Sequence, residues 1–351
     1  MCQECFAQVL AKDLCIWSLE KIYMMQPLED LESFEKYAQA FDQAVLQTSD
    51  ISPVCSASDW LYAAHTELHP KREYLFTEND GHWLALSYGP FSSFEQTFYP
   101  LEFSWGFGCP LVGPDPEVSV DLLLSTLIKS TGQWQVALLS GIPVASPLWF
   151  ILQREIGKYY GLDTFQGADC AQVDLSEGAE AFLERRSSKF RSNVRSSVRK
   201  AQKRGVSFDW FDQICDAEEL FQRILAVEQM TWKHNQGGSI FLVERYHRFY
   251  KTLIQRMAKK GDLRALLLRM DGQDVAYIVG GVLGQVYRGF QLGYNDEYAR
   301  LGLGHVAQWE MIRRLAQEGI HTYDLGMVMD YKRRWSDKIL KLENIVVFAR
   351  G

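Results

Sequence analysis

Residues 290–335 read FQLGYNDEYARLGLGHVAQWEMIRRLAQEGIHTYDLGMVMDYKRRW, and the order of elements in this stretch decides the fold. A strand ends at QLGY (291–294), and a polar loop, NDEYARLGLG, follows. A helix is expected over 303–318, then a strand over His321–Leu325 that brings Asp324 to its end. Gly302 and Gly304 stand where strand turns into helix. Glycine lets backbone N–H groups approach a ligand closely, and a helix N-terminus carries the positive end of the macrodipole, so phosphate suits the position. Plain close packing needs glycine there just as often.

Upstream, LRALLLRMDGQDVAYIVGGVLGQVYRGFQLGY (263–294) reads as three antiparallel strands with an Asp-Gly hairpin and a second turn near Gly284. Helical patterns cover 178–204, 216–234 and 243–260, with VSFDWFD (206–212) as a strand between the first two. A helical piece at 330–335 and the strand LENIVVFA (342–349) close the chain. The first half has the same rhythm. Residues 1–50 are helical and SDWLYAAHTEL (58–68) is a capped helix. Strands follow at 72–79, 81–89 and Thr97–Phe107, then a loop at 108–119. A helix (121–130), a strand (134–142) and a helix (147–161) complete it. The fold class expected is α/β of the α+β kind: two tandem units, each a mixed, mainly antiparallel sheet flanked by helices. They span 1–165, with a helical N-terminal extension, and 166–351, divided where turn residues cluster between Gly161 and Ser176.

The totals suit a soluble globular protein: 351 residues, 47% hydrophobic and 23% charged. Net charge is −7, yet RRSSKFRSNVRSSVRKAQKRG (185–205) holds nine Lys or Arg and no acid, so the remainder carries −16 (−7 minus 9). Charge so localised points to a localised anion rather than to DNA. Leu183, Phe190, Val194, Val198 and Ala201 mark a core face, and Arg191, Arg195, Arg199 and Lys203 form a cationic row beside it. The seven cysteines are scattered, which fits a reducing compartment, and Cys2-Gln-Glu-Cys5 lacks the second pair a zinc site needs. No metal is expected. The uncharged run Ser130–Gln153 is interrupted by Gly141, Pro143 and Pro147, so no transmembrane segment is expected, and the location expected is cytoplasmic. Neither GxSxG nor a P-loop occurs.

Three antiparallel strands, the 295–304 loop, its helix and the strand ending at Asp324 together resemble the GNAT acyltransferase superfamily. The resemblance narrows through Phe182–Gly205, EQMTWK (228–233), GYNDEYA (293–299), YDLG (323–326) and YKRRW (331–335). These are similar to a bacterial GNAT group associated with cellulose and exopolysaccharide biosynthesis, related to the Fem-type aminoacyltransferases. The resemblance implies two GNAT-like units, the N-terminal one degenerate. It also implies transfer of an acyl group, acetyl first, from acetyl-CoA to an amine or hydroxyl of a sugar, polysaccharide or cell-envelope precursor. One departure stands out. The family's phosphate loop, Q/R-x-x-G-x-G/A, here begins with Ala299, and Arg300 comes one place late. Basic residues of 185–205 or Lys332-Arg333-Arg334 are the donors available in its place.

Site roles follow from the chemistry of acyl transfer, which needs a neutral nucleophile, a stabilised oxyanion and a protonated leaving thiolate. Glu228 is the candidate base, Tyr294 the candidate acid, and Asp324 ends the neighbouring strand, facing the cleft or capping the next turn. Arg300, Gly302, Leu303, Gly304 and His305 are the candidate coenzyme-binding residues. Arg191, Arg195, Trp232, Lys233, Tyr331, Lys332 and Trp335 are the candidate acceptor-binding residues. Core packing, capping and solvation explain several of these types equally well. Two rival functions stay open: aminoacyl transfer from charged tRNA, although no sustained heptad arm is visible, and a non-catalytic GNAT fold whose basic helix docks RNA or an anionic polymer.

Overall fold

The computed structural model describes residues 31–212 and 216–350; the N-terminal start with Cys2, Cys5 and Cys15, and also Cys215, lie outside the described residues. The chain divides into two compact units, one of residues up to His65, His69–Ala168 and Lys341 onward, the other of Thr66–Leu68 and Asp169–Leu340.

The first unit opens with α1 (Leu31–Gln47), the short α2 (Pro53–Ser56) and α3 (Ser58–Leu68). Strands β1 (Glu73–Asn79), β2 (His82–Phe91) and β3 (Phe94–Pro100) form a meander, and the short β4 (Leu111–Val112) pairs with β2. Helix α4 (Pro116–Lys129) starts on Asp115, whose side chain accepts from the Glu117 N–H, with Pro at the first turn. After it come β5 (Val136–Pro143) and α5 (Pro147–Tyr159). Strand order is β1-β2-β3-β5, continued by the last strand of the chain, β12 (Lys338–Phe348), and by β6 (Gly161–Asp174).

Strand β6 occupies the interval whose turn residues suggested a break. Its middle is built from Gly, Ala and Cys, small residues that leave no strong apolar alternation to read. Thr97–Phe107, expected as one strand, stops at Pro100.

In the second unit β6 leads to α6 (Gly178–Glu184), α7 (Ser188–Lys203), β7 (Ser207–Phe211), α8 (Ala217–Glu228), α9 (Trp232–Asn235) and α10 (Glu244–Lys260). Then come β8 (Leu263–Met270), β9 (Gln273–Leu283), β10 (Val286–Tyr294), α11 (Leu303–Gln317), β11 (Thr322–Met327) and α12 (Asp330–Arg333). The expected helix over 216–234 is two helices, because the Thr231 side chain accepts from the His234 N–H and restarts the winding. Strand order is β6-β11-β10-β9-β8-β7. Helix α11 is buried on most sides, from Leu303 through Leu315, and with Val194 and Ala201 of α7 it supplies the core over the sheet.

One break in this sheet positions the site. Strands β10 and β11 run parallel and pair only over Val286–Arg288 with Thr322–Asp324. Beyond that point both ladders on their outer sides carry bulges, at Gly289/Gln291 and at Asp324/Gly326. Bulges bend the strand that bears them, and the two strands part into a fork whose arms are Gln291–Tyr294 and Leu325–Met327.

Candidate active site

At the apex of the fork Arg288 and Asp324 are paired across the two strands, Nη1 to Oδ2 at 2.6 Å, with both residues almost fully buried at 3% and 0% exposure. The other Asp324 oxygen accepts the Gly326 N–H at 2.8 Å, so Asp324 is at once a turn cap and an ion-pair partner. The Arg288 guanidinium also donates to the Cys170 thiol at 3.7 Å. Burial pushes that thiol up to about 12, and it stays protonated. Gly326 has φ +82, and a methyl there would sit 3.2 Å from the guanidinium and 3.5 Å from the Lys332 ammonium. The absent side chain leaves Lys332 lying over the buried pair. Burial first, and Arg288 second, hold the Lys332 ammonium down to about 8, while Asp324 opposes them.

The opposite arm carries a second polar cluster. Glu228, the last residue of α8, is 2% exposed. Its carboxylate accepts from the Tyr277 hydroxyl at 2.6 Å and from the Ser239 hydroxyl at 2.6 Å, with the Lys233 ammonium 3.4 Å away. Lys233 also donates to the Leu292 carbonyl at 3.1 Å, which ties it to the β10 arm. Gly293 admits this arrangement, since a Cβ there would lie 2.6 Å from the Tyr277 ring and 2.8 Å from the carboxylate. Burial and the Glu228 charge raise Tyr277 well above its ordinary value, so it remains a donor. Lys233 also acts on Lys332, lowering it, which places the two ammonium groups within electrostatic reach of each other at the fork.

The loop after β10 ends at Gly302, φ +71, where a Cβ would strike the Ser197 hydroxyl of α7 at 2.3 Å. A Cβ at Gly304 would lie 3.3 Å from the Tyr294 ring. Both glycines are therefore explained by contacts within the unit. Among the described residues no side chain caps the first turn of α11; the His305 N–H donates to the Gly302 carbonyl, which leaves the Leu303 and Gly304 amides as the ones the turn offers. Lys200 of α7 donates to the Arg300 carbonyl at 3.2 Å and adds charge beside them.

The fork thus gathers Glu228, Lys233, Tyr294, Asp324 and Lys332, with Gly302, Leu303, Gly304 and Arg300 at the loop beyond. Other candidates sit elsewhere. Trp335, read as a wall of the site, is a core residue between the rings of Phe182 and Phe190, stacked on His305. His305 is lowered by burial and by Arg334. Arg191 donates to the carbonyls of Glu184 and Arg186 and closes the end of α6, and Arg195 is exposed. Trp232 and Tyr331 are about half exposed. Sequence reasoning missed Arg288, Tyr277, Ser239 and Cys170. Arg288 was the findable one, as a lone cation inside the apolar strand VYRGF. Among the described residues no group of three His, Cys, Asp or Glu is placed to hold a metal ion, and no helix is long and apolar enough to cross a membrane.

Residues 188–333 match the family model of the acetyltransferase (GNAT) domain. No curated protein matches the chain. Among solved structures, FemX is similar at 14% identity, with TM-score 0.65 over 88% of this chain and 95% of that one. A conserved protein of unknown function from Bacteroides thetaiotaomicron is similar at 10% identity, TM-score 0.61, over 91% and 98%. L-PGS from Bacillus licheniformis is similar at 12% identity, TM-score 0.57, over 94% and 95%. Residues 188–333 thus carry a match to the acetyltransferase (GNAT) domain, and the fold of the chain is similar to that of FemX.

Proposed function

We propose that this chain transfers an acyl group, acetyl first, from acyl-coenzyme A to an amine or hydroxyl of a sugar, polysaccharide or cell-envelope precursor. The fork of the C-terminal unit is the site in this reading, the N-terminal unit is a degenerate copy, and the protein works in the cytoplasm. The observation that carries it is the meeting of two held lysines at a break in the sheet. Lys233 is fixed by Glu228 and the Leu292 carbonyl, and Lys332 lies over the Arg288–Asp324 pair.

A carbonyl seated in the fork would develop negative charge on oxygen as the nucleophile adds, and preplaced ammonium groups stabilise that charge without reorganising. Glu228 has both oxygens engaged, so it acts by positioning Lys233 and by receiving a proton relayed along that contact. The C–S bond then breaks, and Tyr294, beside the first turn of α11, protonates the leaving sulfur. Coenzyme phosphates would lie at the α11 N-terminus, held by its amides with Lys200 and Arg300. The missing basic residue at Ala299 is made good in this way from α7.

The test is thiol release from acetyl-CoA with a panel of amino sugars, wild type against Lys332→Met. Release that needs an acceptor and falls about a hundredfold in the variant supports the reading, the scale of losing one oxyanion donor. Release at the wild-type rate in the variant overturns it.

A second reading, use of charged tRNA, draws on α7. Arg195, Arg199 and Lys203 make no ion pair with a described carboxylate, as a surface awaiting a polyanion would. RNA binding with a steep salt dependence, in the absence of coenzyme binding, would favour it.

A further inference from the structure

The first unit contains a set of polar groups that the acyl-transfer reading does not use. Three adjacent strands bring them onto one face. Tyr74 of β1 stands opposite Ser87 of β2, and Ser87 stands opposite Tyr99 of β3. One step along the same face, Gly89 stands opposite Thr97. Directly paired residues in antiparallel strands share a face, as do residues two apart. Arg72, two before Tyr74, joins them: its guanidinium carbon lies 3.8 Å from the centre of the Tyr99 ring.

Among the described residues, four of these hold buried polar atoms without a hydrogen-bond partner: Arg72 Nη1, the Tyr74 and Tyr99 hydroxyls, and Thr97 Oγ1. Thr97 and Tyr99 are both 0% exposed. An orphaned buried polar group costs about 1–3 kcal/mol, and four of them share this face. Arg72 makes no ion pair with a described carboxylate, and burial is the main influence lowering it. His65 of α3, whose ring meets Tyr74 edge-on and whose Nδ1 is 3.5 Å from the Ser87 hydroxyl, closes one side. Burial and the Arg72 charge bring His65 down to about 4, so it is neutral at pH 7 and does not compensate Arg72. Among the described residues a methyl built on Gly89 would meet the Tyr99 hydroxyl alone, at 3.4 Å, and Gly89 and Arg72 are the partly exposed members of the group.

We propose that Arg72, Thr97 and Tyr99 form a binding site for a small carboxylate above Gly89. The stacked guanidinium presents its N–H edge in the fork geometry that carboxylate oxygens accept two at a time. The two hydroxyls supply the remaining donors, and one cation balances one negative charge. The site is independent of the acyl-transfer fork, and every residue in it belongs to the first unit.

The experiment titrates the full chain with sodium acetate, sodium phosphate and sodium chloride at matched ionic strength, following the Arg72 Nε–H and His65 ring resonances by NMR. Acetate is expected to give a saturable shift that phosphate and chloride do not. The apparent Kd should rise about tenfold or more in Arg72→Met and several-fold in Tyr99→Phe and Thr97→Val. Since those hydroxyls have no partner among the described residues, Tyr99→Phe and Thr97→Val should leave the unfolding midpoint of the acetate-free protein unchanged or raised. Three results would overturn the proposal: no saturable shift with acetate, equal binding of phosphate, or acetate binding that survives in Arg72→Met. If Arg72→Met fails to fold, unaltered acetate affinity in Tyr99→Phe and Thr97→Val overturns it as well.

Discussion

The Arg288–Asp324 pair gives a prediction whose size follows from burial. Asp324→Asn keeps the side-chain shape and the oxygen that accepts from the Gly326 N–H, removes the charge, and sets an amide NH2 donor in place of the oxygen that accepts from Arg288. Arg288 then stays at 3% exposure beside the Cys170 thiol, without the carboxylate charge it faces in the wild type. Breaking a buried pair from one side costs about 3–5 kcal/mol, because the survivor is desolvated and uncompensated. For a unit of this size that corresponds to roughly 6–20 °C in Tm. Replacing both partners, Arg288→Met with Asp324→Leu, removes the desolvation cost together with the attraction and should recover most of the loss. Asp324 also raises Lys332, so Asp324→Asn should move the titration of that lysine further below about 8. The assay is guanidinium unfolding followed by circular dichroism, on Asp324→Asn and on wild type, Arg288→Met, Asp324→Leu and the double variant, the last four combined as a double-mutant cycle. A loss below about 1 kcal/mol in Asp324→Asn, or a double variant no better than the worse single one, refutes the reasoning.

Other outcomes follow from the same geometry. If the Lys332 ammonium stabilises the oxyanion, the active form exists below about pH 8 and is lost above it, so kcat/KM should fall through that value, and Lys332→Met should abolish this limb of the profile. Tyr277→Phe leaves the buried Glu228 short of one donor and should cost about 1–3 kcal/mol in denaturant unfolding. Trp335→Ala should cost about 3–5 kcal/mol as a core truncation. If acceptor affinity fell while stability held, its place between Phe182 and Phe190 would be contradicted.

Much of the architecture was legible because it is written in long-period patterns. The three strands over 263–294, their hairpin turn, the helix after Gly302 and the strand after it all stand where apolar spacing put them, although that strand runs on to Met327 and leaves Asp324 inside it and not at its end. Strand β6 was not legible, since small residues carry no alternation. The split at Thr231 was missed because one hydroxyl decides it. Within the site, Tyr294 attracts notice at a strand end, Glu228 as a carboxylate one turn before Trp232, and Asp324 as a residue expected at a strand end that lies inside β11. Arg288 and Tyr277 lie in strand interiors, and only the register brings them to the fork. Trp335 shows the converse: an aromatic among cations looks like a site, and three rings and a core claim it.

Calorimetric titration of acetyl-CoA into the full chain tests the central claim, that the fork and the α11 loop form the acyl-coenzyme site. Binding in the micromolar range is expected, weakened about tenfold or more by Lys200→Glu with Arg300→Glu and unchanged by Arg72→Met. An absence of binding, or affinity indifferent to the two charge reversals, would contradict the account.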